Sequence, residues 1–161
     1  MDNKYIYALD LAMGNSGIAV YNINECKIEI ITSCKTNPKL SHGERLHVQR
    51  EYILDIMNKY PPYEVVIEQG FSLHNKSTQV IFKVHGVYNE VLSAYPQTYY
   101  TPKDVKKQIT GNGNAKKEKV KECLLEYYPE IIGDYTMNND DESDAVAVLI
   151  THLKKEYPSL L

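Results

Sequence analysis

Four carboxylates, Asp10, Glu68, Asp141 and Asp144, stand where apolar runs end or begin, positions that ordinarily favour burial over charge. Asp10 closes Tyr5-Ile6-Tyr7-Ala8-Leu9 and Glu68 closes Val65-Val66-Ile67. Asp141 and Asp144 open Ala145-Val146-Ala147-Val148-Leu149-Ile150. Carboxylates drawn together at such places repel one another unless divalent cations neutralise them. Asp141 and Asp144 are three apart, so on a helix they share a face, and at its N-terminus the macrodipole favours their charge. Hard divalent ions prefer oxygen ligands, and two of them about 3.5–4 Å apart bind both the attacking and the leaving oxygen of a phosphodiester. The chemistry these residues point to is metal-assisted phosphodiester cleavage.

Distant acids meet only if the elements between them fold back. Residues 5–10, 17–21 and 27–32 read as three short strands in an antiparallel meander, with turn residues at Gly14-Asn15 and Asn22-Ile23-Asn24. Residues 42–60 have helical spacing at Leu46, Ile53 and Met57 and stop at Pro61-Pro62, after which 64–68 is a fourth strand. Val80, Val84, Val87, Tyr88, Val91 and Tyr95 recur at three- and four-residue steps and predict a helix over 80–95. A strand at 97–101, a helix at 102–109 with proline in its first turn, and a loop at 110–114 follow. Helices at 115–128 and 141–156 complete the chain. The pattern is α/β, a sheet covered by helices, on which the ends of the first and fourth strands and the start of the last helix can converge.

At 161 residues and 43% hydrophobic, the chain has the size of one domain, 1–161, able to bury roughly 70% of its unfolded surface without disulfide staples. Three cysteines with no C-x-x-C pair point to a reducing cytoplasm. No apolar stretch approaches the roughly 18 residues of a membrane helix, so a soluble, unprocessed protein is expected. The net charge of −3 hides a segregation: residues 103–121 hold seven lysines against Asp104 and Glu118, while 122–144 hold eight acids and no Lys or Arg. The basic stretch suits a phosphate backbone, the acidic one metal.

Four blocks, in order, resemble the RuvC family of Holliday-junction resolvases, a branch of the RNase H-like nucleases. Ala8-Leu9-Asp10-Leu11-Ala12-Met13-Gly14-Asn15-Ser16-Gly17 is similar to the family's first block, an acid ending strand one and a glycine seven residues on where the chain turns into strand two. Ile67-Glu68-Gln69-Gly70-Phe71 is similar to the second. Val105-Lys106-Lys107 with Gly111-Asn112-Gly113-Asn114-Ala115-Lys116-Lys117 resembles the basic block, and Asp141-Glu142-Ser143-Asp144-Ala145 the D-x-x-D-A helix start.

The resemblance implies an RNase H-like fold with a five-stranded mixed sheet, its first three strands antiparallel. It implies an endonuclease using two Mg²⁺ or Mn²⁺ ions held by Asp10, Glu68, Asp141 and Asp144. Asp10 would bridge both ions, Glu68 would hold one, and the Asp141/Asp144 pair the other. Lys106 and Lys117 align with lysines near the scissile phosphate, and Lys107 and Lys116 beside them would join the contact to DNA. Phe71 matches an aromatic near the junction centre, where it would stack on or wedge a disrupted base pair. The substrate would be four-way junctions and other branched DNA, met by a C2 homodimer with Val84, Val87, Tyr88 and Val91 near its interface.

Leu11-Ala12 replaces the family's usual Pro-Gly, which loosens the local turn and suggests a divergent, phage-type member. His152 lies eight residues beyond Asp144, about 12 Å along a helix, and reads as structural; His42, His47, His74 and His85 read as surface or helix-face residues. Two other functions compete: a nuclease acting on structured RNA or replication forks, and a noncatalytic DNA-binding module, which would be expected to have lost one of the four acids.

Overall fold

The computed structural model describes residues 3–70 and 75–161. Five strands, β1 (Tyr5–Asp10), β2 (Asn15–Asn22), β3 (Lys27–Lys35), β4 (Pro62–Glu68) and β5 (Gln97–Tyr100), form one sheet in the order β3-β2-β1-β4-β5. β1 pairs antiparallel with β2 and parallel with β4; β2–β3 is antiparallel and β4–β5 parallel. This is the expected mixed sheet.

Strand side chains alternate between faces, and both faces are covered. Tyr5, Tyr7 and Leu9 of β1 pack with α1 (His42–Lys59) and α2 (Asn75–Val91) on one side. Ile6 and Ala8 pack on the other with α3 (Pro102–Thr110), α4 (Lys117–Tyr127), the short α5 (Pro129–Ile132) and α6 (Asp140–Glu156). A final 3₁₀ turn spans Pro158–Leu160. Burial on both faces is why β1 and β4 read as apolar runs rather than alternating strands.

α6 is buried along almost its whole length because the sheet lies under it and α3 and α4 lie over it. Its Ala145 and Ala147 meet a sheet face that carries the cross-strand pair Ala8 and Ala19. Small residues on both sides let the helix axis come close to the strands. Leu149, fully buried, contributes about 2 kcal/mol by its removal from water.

Several boundaries differ from the sequence reading. α2 starts at Asn75, ahead of the expected residue 80, its polar first turn carrying no apolar spacing to read, and it ends at Val91, beyond which Leu92–Tyr95 is a tight turn. α4 starts at Lys117, with Ala115 buried ahead of it, and α5 lacks enough residues to show periodicity. Val84 and Tyr88 are fully buried against the chain's own sheet, so they are core residues rather than interface ones; Val87 and Val91 stay partly exposed. His85 is likewise buried, not a surface residue. His152 is buried beside Tyr100, whose hydroxyl lies 2.9 Å from its Nδ1, and Glu64, in agreement with a structural role. Among the described residues, no helix is long and apolar enough to cross a membrane, and all three cysteines are free.

Candidate active site

Leu9 and Ile67 are in register on the parallel neighbours β1 and β4, so the acids that follow them, Asp10 and Glu68, emerge side by side. On its other flank Asp10 pairs with Gly17 of β2. A Cβ on Gly17 would lie 1.9 Å from the backbone oxygen of Asp141 and 2.4 Å from its carbonyl carbon. Gly17 therefore does not mark the turn into β2, which begins two residues earlier; it is the bare spot on which the start of α6 rests. That contact carries Asp141 and Asp144 to the Asp10 end of the sheet.

The acids sense one another. Burial, and then the charges of Glu68, Asp144 and Asp141, push the Asp10 carboxyl well above the usual range, with Lys117 opposing. Glu68 is pushed up to about 7 by burial and then by Asp144, against Lys117 and Lys106. Asp144 is also raised by burial, against its hydrogen bond and attraction to Lys117. Asp10 is thus the group on which all three others act. Lys117 Nζ donates to Asp144 Oδ2 at 2.6 Å, and this bond with the surrounding acids raises its pKa although burial pulls the other way. Asn15 Nδ2 donates to Asp141 Oδ2 at 2.8 Å.

With Asp141 turned to Asn15 and Asp144 to Lys117, no three Asp, Glu, His or Cys side chains of the described residues are gathered into a ready ligand group. The donors nonetheless fit a hard divalent cation: they are carboxylate oxygens whose mutual repulsion, once they are ionised, a cation offsets. Asn15 Oδ1, buried without a hydrogen-bond partner, adds a free oxygen beside them.

Of the lysines, Lys106 and Lys117 are the ones felt at the acids; Lys107 and Lys116 are exposed. Phe71 and His74 lie outside the described residues.

Other residues hold the site and were not singled out from sequence. Gln49 of α1, fully buried, donates through Nε2 to the carbonyls of Ala12 (2.7 Å) and Met13 (3.2 Å) and accepts through Oε1 from Ser16 and Tyr88. Thr36 donates its hydroxyl to Met13 O. The 11–14 turn is therefore pinned by side chains where the family's Pro-Gly is absent, and is not loose. Buried Glu142 accepts from Ser33 and from the Asn138 N–H, tying the start of α6 to β3, while its own N–H is capped by Asn139. Asn139-x-x-Glu142 is a capping pattern that sequence could have revealed; Gln49, a lone polar residue on a helix, offers no such signal.

A family model, crossover junction endodeoxyribonuclease RuvC, matches residues 6–152. The RuvC of Wolbachia sp. subsp. Brugia malayi is 34% identical over 154 residues, covering 92% of this chain and 93% of that protein. That of Fusobacterium nucleatum is 33% identical, covering 85% and 72%. Thermus thermophilus RuvC in complex with a Holliday junction substrate superposes with a TM-score of 0.81 at 20% identity, over 98% of this chain and 97% of that one. The fowlpox virus resolvase, solved with Holliday junction DNA, has a TM-score of 0.58 at 13% identity, over 93% and 99%. The fold is the RNase H-like one of these resolvases. With the family model spanning residues 6–152 and a relative 34% identical over 92% of the sequence, the chain belongs to the RuvC family of crossover junction endodeoxyribonucleases.

Proposed function

We propose that this chain, as one domain over 1–161, cleaves four-way DNA junctions and other branched DNA by two-metal phosphodiester hydrolysis. The observation that carries the reading is the burial of Asp10 of β1 among Glu68 of β4 and Asp144 and Asp141 of α6, whose charges all act on it. Two Mg²⁺ or Mn²⁺ ions bound there would supply Lewis acidity at phosphorus and a nucleophilic water at neutral pH. Asp10, Glu68, Asp141 and Asp144 would hold the ions. Asn15 fixes the orientation of the Asp141 carboxylate in the metal-free chain. Lys117 and Lys106 offset the negative charge that builds on the phosphate oxygens, worth most where water is excluded. Lys107 and Lys116, exposed alongside, contact the DNA backbone, and Phe71 stacks at the junction centre. A dyad-symmetric junction calls for paired cuts, and a C2 homodimer would use the outer face of α2, where Phe82 is 59% exposed and Val87 and Val91 partly so. The three free thiols suit a reducing cytoplasm.

The test is cleavage of a synthetic four-way junction, linear duplex and an RNA–DNA hybrid with Mg²⁺ or Mn²⁺, by wild type and Asp10→Asn. The junction alone should be cut efficiently, and Asp10→Asn should bind it without cutting. Equal cutting of all three substrates sinks junction selectivity, and undiminished cutting by Asp10→Asn sinks the metal assignment.

A further inference from the structure

The lysines proposed to contact DNA all lie within residues 103–121, yet the other flank of the site carries a cationic cleft. It measures about 400 Å³ and runs from Asp141 and Asn15 past the bare backbone of Gly14 to Thr36, Lys35 and Arg45. The chain has two arginines. Arg50 is engaged with Glu51 on the surface. Arg45, in the first turn of α1, has no carboxylate within ion-pair distance among the described residues.

Arg45 is nevertheless held in one orientation. Its Nε donates to Thr36 Oγ1 at 2.8 Å. Thr36, buried, is itself fixed from two sides: its hydroxyl donates to Met13 O at 2.5 Å and its backbone N–H to Gly14 O at 2.9 Å. The acceptor for Arg45 is thus built on the turn that follows Asp10. With Nε engaged, the outer edge of the guanidinium keeps its paired donors free of hydrogen bonds to the described residues, the geometry that grips a phosphate with two parallel bonds. Gly14 leaves the floor open: even a Cβ there would sit 3.8 Å from Arg45 Nη2. Lys35, exposed at the end of β3, adds a second positive charge.

We infer that this cleft is a phosphate subsite for the DNA backbone next to the cleaved position, with Arg45 as its anchor and Thr36 as the residue that aims it. The inference rests on the nuclease reading above. A polynucleotide fits better than a free anion, because the inner end of the cleft is the carboxylate of Asp141. A lone phosphate would be repelled by that charge, whereas a strand whose cleaved phosphate lies at the acids and their cations presents its neighbour to Arg45. The strand would then be gripped on two flanks, by Lys106 and Lys117 on one and by Arg45 on the other. Such contacts are blind to sequence and set position along the strand.

The test measures binding of a labelled four-way junction to the non-cutting Asp10→Asn protein in Mg²⁺ from 50 to 300 mM KCl, with and without Arg45→Gln. Loss of one phosphate contact should weaken binding about 5- to 20-fold near 100 mM salt and make the slope of log K against log salt shallower by about one. Thr36→Val keeps the charge and frees the guanidinium; it should weaken binding a few-fold with the slope unchanged. Arg45→Lys, with the charge but not the fork, should fall between wild type and Arg45→Gln, and it carries the test should circular dichroism show that Arg45→Gln does not fold. Unchanged affinity and slope in Arg45→Gln, with the junction still bound by its parent, overturn the subsite alone. A parent that does not bind the junction overturns the subsite together with the nuclease reading.

Discussion

Replacing Glu68 by glutamine should make the metal-free protein more stable, and only above the acid range. In the fold the Glu68 carboxyl is pushed from its ordinary 4.5 up to about 7, first by burial and then by Asp144, with Lys117 and Lys106 opposing. Between those two values the folded chain keeps a proton that the unfolded chain releases. The unfolding free energy changes with pH as 2.303RT times protons bound unfolded minus folded, which is negative here, so stability is lost as pH rises from about 4.5 to about 7. The difference of about 2.5 units corresponds to about 3 kcal/mol, and partial solvent access reduces this to about 2–3 kcal/mol. Glutamine has nearly the same shape and does not titrate. At pH 8 in EDTA, Glu68→Gln should therefore melt roughly 4–12 °C above wild type, while at pH 4.5 the two should nearly coincide. Asp10, raised in part by Glu68, moves the result in the same direction. Mg²⁺ should raise the melting temperature of wild type at pH 8 and that of the variant much less, and the variant should lose cleavage. Calorimetric scans from pH 4.5 to 8.5 decide the matter. Equal stabilisation at both ends of the range, or none at pH 8, would refute the claim that clustered buried charge strains this site.

Two further substitutions probe the scaffold. Gln49→Leu leaves the Tyr88 hydroxyl buried without its Gln49 acceptor and removes two bonds to the 11–14 turn; we expect a loss of about 2 kcal/mol in urea unfolding and weaker Mg²⁺ binding by calorimetry. A change below about 0.5 kcal/mol would mean that the turn is held by other contacts. Gly17→Ala sets a methyl group against the Asp141 carbonyl, so α6 must shift; we expect a cost of about 3 kcal/mol or more and at least a tenfold loss of single-turnover cleavage, whereas near-wild-type behaviour would show that the close approach is not needed.

Much of the fold was legible because its signals are local. The apolar runs 5–9 and 65–67 announced strands buried on both faces, and Pro61-Pro62 and Pro102 marked helix boundaries. The stripe Val80, Val84, Val87, Tyr88 and Val91 announced a helix but not which side it shows to solvent: Val84 and Tyr88 are spent on the sheet. Periodicity reports that a face is apolar, not what covers it.

The same division runs through the site. Sequence alone singled out the four acids, because a carboxylate at the end of an apolar run is anomalous wherever the chain goes, and it placed Asp141 and Asp144 on one helix, where a spacing of three needs only the helical repeat. It could not determine that Asp10 is the acid on which the other three act, that Lys117 is the lysine that reaches Asp144, or that Asn15 bonds to Asp141 and Gln49 to the 11–14 turn. The hydrogen bonds among them join groups from 27 to 126 residues apart in the chain. Charge, burial and hydrogen bonding across such separations arise only when the sheet brings β1, β2 and β4 under the start of α6. That packing depends on a glycine whose reason, the absence of a single carbon, is visible only once the helix lies against it.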